Sequence, residues 1–240
     1  MKDKVAVITG GAKGIGRMVA LTYARQGAKI VIADIDDDRL DRTTGEVLDQ
    51  GTSALAVQTD VRSEADVKQL IERAESHFGG LDVLVNDAGI VPHFNWGVPR
   101  WPSIRDMDEA FWERVLRTNL HGTFLATKHA IPAMEKRGGG HIITLHGGGG
   151  GTGAAPYVVS KDAIRTFSRF VAEEVRPANI CVICVSPHGA VATEDAPEEA
   201  RSRLPGPDTL APLFLAAAQA GMELSGHTLQ LHDGEARPID

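Results

Sequence analysis

A single α/β domain, a doubly wound parallel sheet of seven strands with helices on both faces, is predicted for residues 1–240 by three observations. Short β-rich runs alternate with helical patterns from one end of the chain to the other. Most of those runs are almost wholly apolar, as strands covered on both faces must be. A length of 240 residues is ample for one such domain and thin for two.

The expected strands are 5–9, 29–34, 53–58, 83–86, 141–145, 181–186 and 227–231, and the expected helices lie near 15–26, 37–50, 63–78, 107–136, 156–175 and 208–220. A content of 42% hydrophobic and 24% charged residues argues against disorder. The net charge of -7 offers no footprint for nucleic acid or an anionic membrane. No apolar run approaches the roughly 20 residues that span a bilayer. The first residues run straight into a strand, so no signal peptide is expected and a cytoplasmic location is. Cys181 and Cys184 have a spacing that suits metal or redox chemistry. On a strand, positions three apart point to opposite faces, so the pair is expected as core cysteines with no metal.

The first strand ends in Thr9-Gly10-Gly11-Ala12-Lys13-Gly14-Ile15-Gly16, and a helix follows. Strand, glycine turn and helix in that order make a Rossmann-type dinucleotide-binding start. Gly10 permits the tight turn, Gly14 lets backbone approach a pyrophosphate, and Gly16 lets the helix pack close. The helix N-terminus, from Ile15, offers N–H groups and a positive dipole end to the phosphates. Asp34 ends the second strand. A carboxylate there accepts hydrogen bonds from the ribose hydroxyls and repels a 2′-phosphate, which favours NAD(H) over NADP(H). Lys13 is a counter-signal, since a cation in the turn suits that phosphate. Asp36-Asp37-Asp38 read as a helix cap and first turn.

Four more features follow in order: Asp60-Val61, Asn86-Asp87-Ala88-Gly89, Asn119 within Thr118-Asn119-Leu120, and Tyr157-Val158-Val159-Ser160-Lys161. With the glycine turn, the series resembles the short-chain dehydrogenase/reductase family over nearly the whole chain. The resemblance implies that Asp60 contacts the adenine amino group and Val61 lies beside the ring. It implies that Asn86, Ala88 and Gly89 hold the cofactor and that Asn119 anchors a water in a proton relay. Thr193 would meet the nicotinamide carboxamide, with Val191 giving backbone contacts. A homodimer or homotetramer through the helices at 107–136 and 156–175 is implied as well.

Tyr157 and Lys161 stand four residues apart, on one helix face. A free tyrosine has a pKa of about 10 and is a poor base near neutrality. A neighbouring ammonium and a positive nicotinamide favour the phenolate, which can then take an alcohol proton as hydride departs. The expected activity is hydride transfer between NAD(H) and a small secondary alcohol or ketone. The alternatives are an NAD-binding sensor or scaffold with weak or no catalysis, and a lyase or epimerase.

Three departures mark the substrate side. The family serine, about a dozen residues before the tyrosine, is missing; Gly147 aligns with it. His146 or Thr152 are the polar residues at hand to replace it, and a serine restored at 147 is expected to add a donor to the carbonyl oxygen. His188 interrupts Pro187 and Gly189 where the family has Pro-Gly. A long segment, 91–106, holds His93, Phe94, Trp96, Arg100, Trp101 and Arg105 and reads either as a substrate wall or as a subunit contact. The region 194–207 is short and charged, which suggests an open site.

Overall fold

The computed structural model describes residues 1–148 and 151–240; Gly149 and Gly150, in the glycine run, lie outside the described residues. Seven parallel strands form one sheet: β1 (Val5–Thr9), β2 (Lys29–Asp34), β3 (Ala54–Gln58), β4 (Val83–Asn86), β5 (Gly140–Leu145), β6 (Ile180–Val185) and β7 (Thr228–His232). Their order is β3-β2-β1-β4-β5-β6-β7. The chain builds outward from β1 to β3, then returns to start the other half at β4. Thr9 therefore pairs with Ala33 on one side and Asn86 on the other. At such a reversal the two half-sheets leave a crevice beyond the carboxyl ends of the strands.

An eighth strand corrects the expected seven: β8 (Glu235–Pro238) runs antiparallel to β7 at the sheet edge. Its sequence, Glu-Ala-Arg-Pro, has no apolar run, and Pro238 suits an edge position. The hairpin signal was Asp233-Gly234, whose φ values of 51° and 82° are those of a tight primed turn.

The helices are α1 (Gly14–Arg25), α2 (Asp37–Leu48), α3 (Glu64–Phe78), α4 (Glu109–Leu116), α5 (Gly122–Lys136), α6 (Ala155–Val175), α7 (Glu198–Arg203) and α8 (Ala211–Ala217). Asp36, Ser63 and Asp108 cap α2, α3 and α4 by accepting the N–H three residues on. Each cap is worth about 1 kcal/mol. The single helix expected at 107–136 is broken by a π-turn over Arg117–His121, with Asn119 buried at its centre. Such turns insert one residue into a helix and re-aim the side chains near it.

Alternation along the strands divides the core into two layers. Ile8 and Ile30 pack with Tyr23 and Phe214 on one face, while Val7 and Leu84 pack with Leu125 and Met134 on the other. Tyr23 satisfies its buried hydroxyl by donating to the Phe214 carbonyl at 2.8 Å. Cys181 and Cys184 are free and buried. Among the described residues no helix is long and apolar enough to cross a membrane.

Candidate active site

The crevice opens as a cleft of about 1080 Å³, bordered by Gly10, Gly14, Asp34, Tyr157, Lys161 and Thr193 among others. At one end of the cleft the glycine turn is bare backbone by necessity. A Cβ built at Gly10 would stand 2.7 Å from Ala88 Cα, and one at Gly16 only 2.3 Å from the Gly10 carbonyl oxygen. Gly10 also has φ +67°, in the left-handed region. Asp34 is fixed beside it: one oxygen accepts from Ala12 N–H at 3.2 Å, the other from Ile35 N–H at 2.8 Å. Asp60 and Val61 border the same end. The Arg62 guanidinium, 2.6 Å away, holds the Asp60 carboxyl below its ordinary range.

Ile15, Ala88, Gly89 and Val191 also line the cleft. Asn86 and Asn119 lie beneath it. Asn86 donates to Thr127 Oγ1 at 3.4 Å, tying β4 to α5, and its buried Oδ1 has no partner among the described residues. Asn119 accepts from Ile90 N–H at 2.7 Å and donates to Ser160 Oγ at 3.1 Å. One amide thus clamps the segment after β4 to the helix that bears Tyr157 and Lys161.

The Lys161 ammonium is 3% exposed as a residue, donates to the Leu145 carbonyl at 2.9 Å, and lies 5.9 Å from the Tyr157 ring centroid. Burial pushes the Lys161 pKa down, opposed by Asp87, and pushes the Tyr157 pKa up to about 12, helped by Asp87. Asp87 had no role in the sequence reading. As a residue it is half-buried, but its carboxyl faces inward, beneath the Gly16 N–H. Desolvation raises it to about 7 against the pull of Lys161. An acid within Asn86–Gly89 was visible in the sequence; that it faces the Tyr/Lys pair was not.

The serine position behaves differently from its expectation. A Cβ at Gly147 would stand 2.1 Å from Tyr157 Oη, so the tyrosine hydroxyl fills the space where a side chain would start. Adding a serine there forces the tyrosine aside. His146 borders the cleft, with Nδ1 3.1 Å from Ser186 Oγ and Nε2 3.1 Å from Asp162 Oδ1. Both ring nitrogens are therefore engaged away from Tyr157. Thr152 is exposed and does not border the cleft.

The 91–106 segment packs partly on itself and partly on distant segments. His93 stacks on Trp96 at 3.8 Å, and Trp101 meets Phe94 and Phe111 edge-on. Trp96 also donates to the Val191 carbonyl at 3.1 Å and forms a small core with Ala192, Ala196 and Ala200. Pro92, His93, Phe94 and Arg100 remain at the cleft wall, which His188 also borders. The charged segment after Thr193 is not simply open: Glu194 and Asp195, absent from the sequence-derived site, reach back to the glycine turn and to α2.

The model for short chain dehydrogenases matches residues 4–203. The chain is 38% identical over 208 residues to xanthoxin dehydrogenase of Arabidopsis thaliana, covering 83% of this chain and 70% of that protein. It is 32% identical over 245 residues to cyclopentanol dehydrogenase of Comamonas testosteroni, covering 98% and 92%. Among solved structures, a 7α-hydroxysteroid dehydrogenase complexed with NADH and 7-oxo glycochenodeoxycholic acid superposes with a TM-score of 0.83 at 28% identity, covering 100% of this chain and 96% of that one. Sequence model, relatives and superposed structure agree with the fold and the cleft: the chain belongs to the short-chain dehydrogenase/reductase family.

Proposed function

We propose that the protein is an NAD(H)-dependent oxidoreductase that moves a hydride between the nicotinamide and a secondary alcohol or ketone. The observation behind this reading is that one cleft is bordered by the bare glycine turn, by Asp34 and by Tyr157 with Lys161. The residues fit a dinucleotide: Gly10 and Gly16 exclude side chains where phosphates need backbone, and the Asp34 carboxylate stands where ribose hydroxyls donate. Asp60 and Val61 receive the adenine, and Val191 and Thr193 the carboxamide end.

When bound, the nicotinamide gives or accepts the hydride. Tyr157 takes the alcohol proton in oxidation and returns it in reduction. Burial and Asp87 oppose the phenolate; the Lys161 ammonium favours it and also holds the nicotinamide ribose. Asn119 anchors the relay that refills the proton. With Gly147 bare and His146 engaged by Ser186 and Asp162, the reacting oxygen has Tyr157 as its main donor. Losing one such donor costs about 10²–10³ in rate, so slow turnover is expected. That same bare position favours the second reading, a dinucleotide-binding protein with little catalysis.

Relatives named for cyclopentanol and a hydroxysteroid, together with the Phe94 wall, support a cyclic alcohol or ketone as substrate. Apolar side chains left outward on α5 and α6, Phe124 and Phe170, suit a homodimer or homotetramer. A cytoplasmic setting accords with NAD(H) as coenzyme. Titration with NADH and NADPH, followed by absorbance assays on cyclic secondary alcohols, tests the reading. NADH should bind more tightly, Asp34→Ser should narrow the gap, and some cyclic alcohol should reduce NAD. Equal or tighter NADPH binding overturns the coenzyme assignment; binding without turnover on any substrate favours the second reading.

A further inference from the structure

Helix α1 begins without a cap of its own: Lys13 at its N-cap makes no side-chain bond there, and no acidic residue lies in the first turn. The anion at that end comes from far along the chain. Both carboxylate oxygens of Glu194 accept from the Gly14 N–H, at 3.1 and 3.2 Å. The next residue repeats the pattern. Asp195 receives Arg39 in a two-pronged pair at 2.7 and 2.8 Å and Lys13 Nζ at 3.2 Å. Arg39 and Lys13 together hold the Asp195 carboxyl down to about 2, so it stays charged across the working pH range. Thr193, the residue before, packs against Gly14.

These are the groups a dinucleotide's phosphates seek. The Gly14 N–H at a helix start suits a pyrophosphate. Lys13 and Arg39, close to Asp34, suit a phosphate on the adenosine ribose. We propose that Glu194 and Asp195 are the protein's own occupants of the phosphate positions, displaced when the cofactor enters, and so set cofactor affinity and phosphate discrimination. This rests on the dinucleotide reading above. A site closed by its own chain binds with an affinity reduced by the fraction of time it is open. Asp195 adds selectivity. Asp36 also holds Arg39 through Nε at 3.2 Å, so while Asp195 neutralises Lys13 and the outer fork of Arg39 the cleft shows a 2′-phosphate chiefly the Asp34 and Asp36 carboxylates. The contacts are partly exposed, so the closure is modest and weakens with salt.

Fluorescence titration with NADH and NADPH, on the unaltered protein and on Glu194→Gln, Asp195→Asn and Asp195→Glu, tests this. Glu194→Gln should tighten both dinucleotides alike, by about fivefold, in line with weakening one partly exposed charge-assisted hydrogen bond. Asp195→Asn should tighten NADPH by about tenfold, and more than NADH, because Lys13 and the outer fork of Arg39, whose Nε stays with Asp36, are freed for a phosphate. Asp195→Glu keeps the charge and should restore the original ratio. If the unaltered protein binds NADH and the variants bind no better, the inference is overturned while the coenzyme reading stands. Should none of the four proteins bind either dinucleotide, both fall together.

Discussion

The two ends of the cleft are held by different means. At the end proposed for the cofactor, position is set mainly by backbone: Gly10 and Gly16 leave no room for side chains, Asp34 is fixed by backbone N–H groups within its own strand-to-helix connection and the glycine turn, and only Glu194 and Asp195 reach in from afar. At the substrate end, position is set by side chains borrowed from distant segments. His146 is held by Ser186 and Asp162, Trp96 by Val191, and Tyr157 occupies the space where a side chain at Gly147 would start. The lesson is that local chain geometry makes a general binding surface, whereas chemistry and substrate fit depend on contacts that sequence spacing does not set.

Perturbing the substrate end should leave the cofactor end intact, and the largest effect falls on the proton group. Tyr157→Phe removes the proposed acid/base and should lower turnover by about 10²–10⁴-fold with NADH affinity nearly unchanged. Steady-state kinetics beside fluorescence titration would separate the two; parallel loss of binding would break the distinction between the ends. Gly147→Ser comes next. Its side chain would meet Tyr157 Oη, so turnover should fall, by up to about a hundredfold for a displacement near 1 Å, rather than rise through a restored donor. A rise in kcat would show that the tyrosine relaxes freely and that the substrate end is looser than its packing suggests.

The smallest change expected joins the two ends through Asp87. Above about pH 7 its carboxyl is charged and holds the Tyr157 pKa up. Alcohol oxidation needs the phenolate, so its rate should climb with pH. In Asp87→Asn the phenolate forms more readily and the climb should begin at lower pH. Below about pH 7 Asp87 is largely protonated, and the variant should then resemble the parent. The pH profile of kcat for both proteins checks this; superimposed profiles would mean that the charge does not reach the tyrosine.

Sequence alone determined the parallel sheet, the glycine turn, the acid ending β2 and the Tyr/Lys spacing. All of these arise from local rules: apolar runs buried on both faces, glycines where backbone must approach, and the rise of a helix that stacks residues four apart. It did not give β8, whose polar residues carry no strand pattern and whose only signal was the Asp233-Gly234 turn. Nor did it show the break at Asn119, because Arg117–His121 carries no glycine or proline to mark where the helix takes in an extra residue. Tertiary structure decided the rest: that His146 turns to Asp162, that Asp87 faces Lys161, and that Glu194 and Asp195 reach the glycine turn. Glu194 and Gly14 are 180 residues apart, and what brings them together is that β6 ends on the same carboxyl side of the parallel sheet as β1, which no pattern local to either residue encodes.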